Sequence, residues 1–447
     1  MNIIYLHTHD TGRYIEPYGF AVPTPNLQTL ASEGMMFRQA FSTAPTCSPS
    51  RAGLLTGTAP HSCGMLGLAH RGFQLRDYDQ HLVRFLKGQG YTTALCGVQH
   101  EAPQAELIGY DTILDMDHPK LDPKLRRSAP GPLDRSQRDL RNAQYAADYV
   151  RRAPDDTPFF LAFGMFNTHR EFPDLDGTVN PNYVRPPHPL PDTEATRRDF
   201  ATYIQAARVV DECVGLVLQA LAETGRDQDT IVVFTTDHGL ALPNMKCTLW
   251  DTGIGVSLLL RYPGQQSAGL ACDALVSHLD VFPTLCDLAE LPKPDWLQGT
   301  SLLPLLNGEA QEVRDAIFAE VSWHAAFEPQ RAVRTQRYKY IRRFQGVTHV
   351  VPANIDDSWS KDVLLEHDLL ETPRPEEALY DVMLDPTERV NLAYLPKHED
   401  VRRQLATALE QWMEITDDPL CSGALERPAG AVINRQNCIS PSEESFE

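Results

Sequence analysis

The chain has 447 residues, more than one compact core of ordinary size accommodates, so two to three domains or one large α/β domain with an appendage are expected. With 60 Asp+Glu against 40 Lys+Arg the formal net charge is −20, a field that repels nucleic acid and anionic membranes and argues against both as partners. A hydrophobic fraction of 42% is that of a globular chain, and 34 prolines point to many ordered loops rather than to disorder. The nine cysteines are scattered and form no CxxC pair, which argues against a disulfide scaffold or a structural zinc cluster. No segment has the length and apolarity of a membrane span. The run Met1–Leu6 passes at once into polar His7-Thr8-His9-Asp10, so it reads as a first strand rather than a signal peptide, and a cytoplasmic protein is expected.

In chain order, Asn2–Leu6 reads as a strand, and Thr24–Glu33 as a helix capped by Thr24 with Pro25 in its first position. His81–Gln89 reads as a helix, followed after Gly90 by the strand Thr92–Cys96. The stretch from Pro119 to Arg141, rich in Pro, Asp and Arg, reads as a surface excursion. Phe159–Phe166 is an apolar strand, Asp199–Thr224 a long amphipathic helix and Thr230–Thr235 a buried strand; Val256–Leu260 and Ile317–Val321 supply further strands. This alternation predicts an α/β fold, a large and mostly parallel sheet sandwiched by helices. Beyond about residue 335 the texture changes. Arg337–Arg343 and Leu379–Val382 alternate like half-exposed antiparallel strands, Glu399–Met413 reads as a helix, and the chain after Cys421 is polar and expected to be loose. The expected division is therefore a catalytic domain over 1–335 and a small α+β C-terminal subdomain over 336–447.

Ligands of such sheets bind at the C-terminal ends of the strands. Here His9-Asp10 follows the first strand, His100 follows Thr92–Cys96, Asn167-Thr168-His169-Arg170 follows Phe159–Phe166, and Asp237-His238-Gly239 follows Thr230–Thr235. Four strand ends each deliver a histidine and two deliver an aspartate, which marks one rim of the sheet as the active site. A further candidate is Cys47, four residues before Arg51 at the mouth of a possible helix, where helix dipole and guanidinium both favour an anion. A lone cysteine is more often a packing residue, so the residues around it must decide.

The run Cys47-Ser48-Pro49-Ser50-Arg51, continued by Leu54-Leu55-Thr56-Gly57, resembles the sulfatase signature C-x-P-S-R followed by L-x-T-G at every fixed position. What the resemblance implies is specific. In that family a dedicated formylglycine-generating enzyme converts the cysteine to formylglycine, whose hydrated aldehyde attacks sulfur with one hydroxyl and expels sulfate by losing the proton of the other. A divalent cation, usually calcium, is held by acidic residues after the first strand and after a later one. Here those positions are His9-Asp10, where Asp-Asp is commoner, and Asp237-His238, with Cys47 beside them. Asp10 and Asp237 suit a hard cation and keep calcium the first choice, while the two imidazoles leave Mn2+ or Zn2+ open as alternatives. Arg51 is implied to neutralise charge at the nucleophile, His100 to orient or deprotonate the diol, His169 to contact the leaving-group oxygen and Lys246 to flank the sulfate. The lysine of the family's G-K-x-H segment is replaced by Val98, which removes one expected cation.

The similarity spans nearly the whole chain, through His278–Leu285, Leu379–Val382, Asp385-Pro386 and Asn391-Leu392. His61–Leu68 and His324–Arg334 look closest to the heparan N-sulfatase (sulfamidase) branch, which makes His324 and Arg331 candidate substrate contacts. The expected activity is hydrolysis of a sulfate ester or sulfamate on a sulfated sugar. Two alternatives stay open: a phosphonate monoester or phosphodiester hydrolase of the same superfamily, and an unconverted sugar- or metal-binding protein in which Cys47 remains a thiol.

Overall fold

The computed structural model of the protein describes residues 1–114 and 134–446. Eight strands form the larger sheet: β1 (Asn2–Thr8), β2 (Met35–Phe41), β3 (Thr92–Gly97), β4 (Thr112–Ile113), β5 (Phe159–Gly164), β6 (Thr230–Thr236), β7 (Leu258–Arg261) and β8 (Leu270–Ser277), in the order β4-β3-β5-β1-β6-β7-β2-β8. Only β7 runs against its neighbours β6 and β2; the other pairings are parallel. The expected mostly parallel sheet is present.

The central strands are apolar at consecutive positions because both faces of the sheet are covered. Ile3, Tyr5, Phe160, Ile231 and Val233 point to one face, against α3 (Leu82–Gly88) and α6 (Val281–Leu288). Ile4, Leu6, Leu161, Val232 and Phe234 point to the other, against α1 (Pro25–Glu33), α4 (Arg135–Arg152) and α5 (Glu194–Thr224). The period-2 alternation of a strand thus divides one hydrophobic run into two cores. Parallel register between β1 and its neighbours, with His7 opposite both Gly164 and Thr235, brings their C-terminal ends to the same rim.

A second sheet of four antiparallel strands, in the order β12-β11-β10-β9, comprises β9 (Ala316–Trp323), β10 (Phe327–Thr335), β11 (Tyr338–Arg343) and β12 (Glu377–Asp381). One face packs on Phe41, Leu249, Ile254 and Leu275 of the larger unit, and the other on Leu405, Leu409 and Met413 of the helix Glu399–Ile415. The division expected after residue 335 falls between its second and third strands.

Several local expectations are corrected. Thr24 occupies the N-cap of α1 but its side chain does not cap it; Asp211 of α5 accepts from Asn26 N at 3.1 Å and Leu27 N at 2.8 Å instead. Helix α5 begins at Glu194, earlier than Asp199, because Thr193 and Thr196 close a capping box. Of the excursion expected over Pro119–Arg141, residues 119–133 lie outside the described residues, and Arg135–Arg141 open α4 behind an Asp134 capping box. The tail after Cys421 is not loose along its length: Ile433 and Asn434 are fully buried, and Arg71 donates to Asn434 Oδ1 at 2.7 Å. Among the described residues no helix is long and apolar enough to cross a membrane.

Candidate active site

Cys47 is the first residue of α2 (Cys47–Thr56), a helix buried along its entire length. Its N-cap, Thr46, makes no side-chain cap, because Thr46 Oγ1 is spent on His324 Nδ1 at 2.6 Å. The positive end of the helix is therefore turned on residue 47 without a capping oxygen to quench it. Four residues on, Arg51 is 1% exposed and places its guanidinium under the strand ends: it donates to Thr8 O at 2.8 Å, to Asp237 Oδ2 at 2.9 Å, and to His7 Nδ1. The backbone makes room for this at Gly164, where a Cβ would stand 1.9 Å from Val98 O and 2.6 Å from His7 Cε1.

The two aspartates are tied together by the backbone. Asp10 takes φ 48, and this turn aims its N–H at Asp237 Oδ1, 2.8 Å away. Each carboxylate then meets one cation: Asp10 Oδ2 lies 3.1 Å from Lys246 Nζ and Asp237 pairs with Arg51. Lys246 Nζ is also 3.0 Å from Asp356 Oδ2. Three carboxylates thus share two fixed side-chain cations, with Asp10 and Asp237 sealed from solvent and Asp356 partly open to it. Burial opposes ionisation of Asp237, yet His238, Arg51 and His9 together hold its carboxyl well below the usual range. Burial wins at Asp10 and pushes it up to about 6, against Lys246 and His238. Burial likewise opposes the charge on Lys246, but Asp10 and Asp356 keep its pKa above the ordinary lysine value.

The histidines are held mainly as neutral rings. Burial first, then Arg51, drives His7 and His9 well below the ordinary imidazole value, and burial with the neighbouring His70 does the same to His100. Burial and Lys246 hold His169 at about 4. When the His238 ring is neutral with Nδ1 donating to Gly239 O at 3.0 Å, Nε2 carries the lone pair. That lone pair lies 3.4 Å from Cys47 Sγ, from which it accepts, and 3.2 Å from Asp10 Oδ1. The second approach is off any hydrogen-bonding direction, and Asp10 Oδ1 is buried without a hydrogen bond. A buried Asp10 oxygen without a hydrogen bond, next to a surplus of carboxylates, is an arrangement that a cation completes. One donor atom from each of His9, Asp10, Cys47 and Asp237 lies within 4.8 Å of the others, so these residues fit a metal ion, with His238 beside them.

The structure brings together most of the residues expected from sequence. His9, Asp10, Cys47, Arg51, Asp237, His238 and Lys246 form one contiguous cluster. His100 joins Cys47 and His9, and the His169 ring lies 5.5 Å from that of His9. His324 reaches the cluster through Thr46. Arg331 does not, and its expected role as a substrate contact is corrected. It is fully buried, with Nε 2.5 Å from Asp418 Oδ2, Nη2 3.1 Å from Asp418 Oδ1 and Nη1 on Val321 O, Ser322 Oγ and Gln330 O. A guanidinium so fully engaged has no donor left for a ligand. Sequence reading missed His7, Asp356 and His70. His7 was hidden inside a strand, and Asp356 sits in no motif; the alternation of β1, which turns His7 to the side of Tyr5 and away from Leu6, was the available signal for the first.

Residues 1–291 match the family model described as Sulfatase, and residues 244–352 that described as N-sulphoglucosamine sulphohydrolase, C-terminal. Human N-sulphoglucosamine sulphohydrolase is 29% identical over 465 residues, which covers 91% of this chain and 89% of that protein. Two solved structures share the fold. A 2-O glycosaminoglycan sulfatase superposes with TM-score 0.71 at 23% identity, covering 96% of this chain and 95% of its own. A protein in complex with its substrate D-glucosamine-2-N,6-O-disulfate superposes with TM-score 0.68 at 18% identity, covering 93% and 98%.

Proposed function

The chain belongs to the sulfatase family, and from that premise we propose that it hydrolyses a sulfate ester or sulfamate on a sulfated sugar, with a formylglycine made from Cys47 as nucleophile. The observation that carries this reading is the setting of Cys47: at a helix N-terminus, 3.4 Å from a histidine lone pair, beside paired aspartates and above a buried arginine. A formylglycine hydrate supplies, when formed, one hydroxyl to attack sulfur and a second whose deprotonation releases sulfate. The chain's own residues prepare that position. His238 Nε2, as an acceptor, holds a proton from the group at residue 47. Arg51 and Lys246 are fixed charges near it and need no reorganisation as charge builds on the sulfuryl oxygens. Asp10 and Asp237, with His9, would hold the divalent cation, for which calcium is the choice that matches the carboxylate oxygens, and His238 Nε2 is left for residue 47. His169, with Nδ1 donating to Arg170 O, offers Nε2 towards the leaving-group side.

The substrate we propose is an N-sulfated glucosamine. This is supported by the match over 244–352, by the human relative, and by His324, which stands on Thr46 next to the nucleophile. Because Cys47 is 1% exposed within a buried helix, the converting enzyme would read the signature string on the chain before it folds.

Peptide mass spectrometry at residue 47, with turnover of N-sulfoglucosamine, aryl sulfate and aryl phosphonate compared, tests the proposal. An aldehyde at 47 with sulfate released from N-sulfoglucosamine is expected. An intact thiol in protein from its native host would sink the mechanism, and preference for the phosphonate would reassign the chemistry.

A further inference from the structure

Cys47 is bordered not only by carboxylates but by imidazoles that lack partners. His9 is 2% exposed, and neither of its ring nitrogens makes a hydrogen bond; Nδ1 lies 3.4 Å from Asp237 Oδ2 without bonding geometry. His100 Nδ1 is also buried and unbonded. Leaving three ring nitrogens dry and unpaired costs free energy unless something completes them. One donor atom from each of His9, Cys47 and His100 lies within 4.8 Å of the other two. Ligands of a tetrahedral zinc, with bonds of about 2.0–2.3 Å, stand roughly 3.5 Å apart, so small side-chain adjustments would close the set.

The other nitrogen of His100 is already held. His100 Nε2 lies 2.9 Å from His70 Nδ1, with the two rings stacked at 5.1 Å and 11°. A ligating histidine characteristically donates its second N–H to an acceptor, which fixes the tautomer and turns the lone pair on the metal. His70 supplies that acceptor, and the lone pair left on His100 is the unbonded Nδ1. Meanwhile Asp10 and Asp237 each commit an oxygen to Lys246 and Arg51, and the group of His9, Cys47 and His100 offers sulfur and imidazole nitrogen without them.

We propose that while residue 47 is still a cysteine, His9, Cys47 and His100 form a binding site for a soft divalent cation of the Zn2+ class, with His70 as the positioning residue behind His100. Binding forms a metal–sulfur bond and releases the thiol proton to solvent, with no change of oxidation state. A consequence, which rests on the formylglycine reading, is that replacing sulfur by oxygen at residue 47 removes the soft donor and leaves the carboxylates to a hard ion. Conversion of this one residue would then switch the metal preference of the whole centre.

The test uses the full chain produced in a host without formylglycine-generating activity, with the thiol at 47 verified by mass. Titration with Co2+ is followed for a thiolate-to-cobalt charge-transfer band, and zinc is measured by elemental analysis after dialysis. The expected result is a band that saturates at one equivalent, disappears in Cys47→Ala, and needs at least about tenfold more metal in His100→Ala and in His70→Ala. Absence of the band from the unmodified protein overturns the site. So does a band that persists in Cys47→Ala, which would assign it to another thiol such as Cys247, or one unchanged in His100→Ala. Circular dichroism of each variant identifies any that fail to fold, and His70, at the exposed end of the pair, is the variant least able to disturb the core. Turnover of aryl sulfate by the converted enzyme is a separate measurement, so failure of the sulfatase reading and failure of this site are told apart.

Discussion

Arg51 Nη2 stands 2.9 Å from Asp237 Oδ2 with both side chains sealed from solvent, so the cation beneath the nucleophile is one half of a buried ion pair. Removing it leaves a carboxylate stranded in a dry interior. Arg51→Ala is expected to lose about 3–5 kcal/mol of stability in urea unfolding, together with all measurable turnover. Arg51→Lys retains the charge but not the fork that spans Thr8 O, Asp237 and His7, and should recover only part of both. An unchanged urea midpoint in Arg51→Ala would show that the pair has no structural role.

Cys47→Ala separates chemistry from folding. Among the described residues the thiol shares a side-chain hydrogen bond with His238 Nε2, and the truncation removes a single buried atom, so the stability change is expected to stay within about 1 kcal/mol. Steady-state turnover of aryl sulfate should fall at least about a thousandfold, because the proposed nucleophile is gone. Near-normal activity in this variant would rule out the mechanism.

Asp237→Asn keeps an acceptor for the Asp10 N–H but removes the charge that faces the proposed cation. Elemental analysis of the dialysed protein should show divalent metal falling from about one ion per chain to a small fraction of that. Unchanged metal content would strike Asp237 from the ligand set.

Away from the site, Arg331 and Asp418 join β10 to the segment after the C-terminal helix. Burial opposes ionisation of Asp418, but the Arg331 fork prevails and lowers its pKa from the ordinary value. A carboxyl depressed on folding gives stability that is fully present above its unfolded value, about 3.9, and is lost as pH falls through the folded value. The Asp418 contribution, read as the difference in urea midpoint between the parent and Asp418→Asn, should therefore hold from pH 7 to about pH 4 and then shrink. Asp418→Asn should be less stable at pH 7 by about 3–5 kcal/mol and show a shallower acid limb. Parallel acid limbs would remove Asp418 from the account.

Gly164 ends β5 where Val98 O and His7 close in on it. Gly164→Ala should lower the thermal midpoint, with a cost of about 1–3 kcal/mol from overpacking, and reduce turnover by displacing His7 from Arg51. A variant with the parent's midpoint and activity would mean that the strand end yields freely.

The sequence made the central sheet legible because strands buried on both faces are written as unbroken apolar runs: Asn2–Leu6, Phe159–Phe163 and Thr230–Thr235 announce themselves. Strands with one wet half do not. In β2 Arg38 is exposed, and in β8 Leu270 is 58% exposed, so neither carries a run long enough to read. The ends of α1 were read correctly, but its cap comes from Asp211, which a local rule cannot see; the start of α5 was the one misplaced, although its Thr193 and Thr196 box is local.

For the site, the chain by itself determined which chemistry is available: the string Cys47–Arg51 and the Asp and His pairs at strand ends are local patterns, and parallel strands must bring their ends to one rim. What only the tertiary structure decided is how the charges are shared. Lys246 bridges Asp10 and Asp356, Arg51 is committed to Asp237, and Arg331, chemically as suitable an anion binder as any, is consumed by Asp418. An ion pair closes over a few ångströms of low-dielectric space between residues that the chain separates by tens or hundreds of positions. No spacing in the sequence encodes which arginine is left for a ligand.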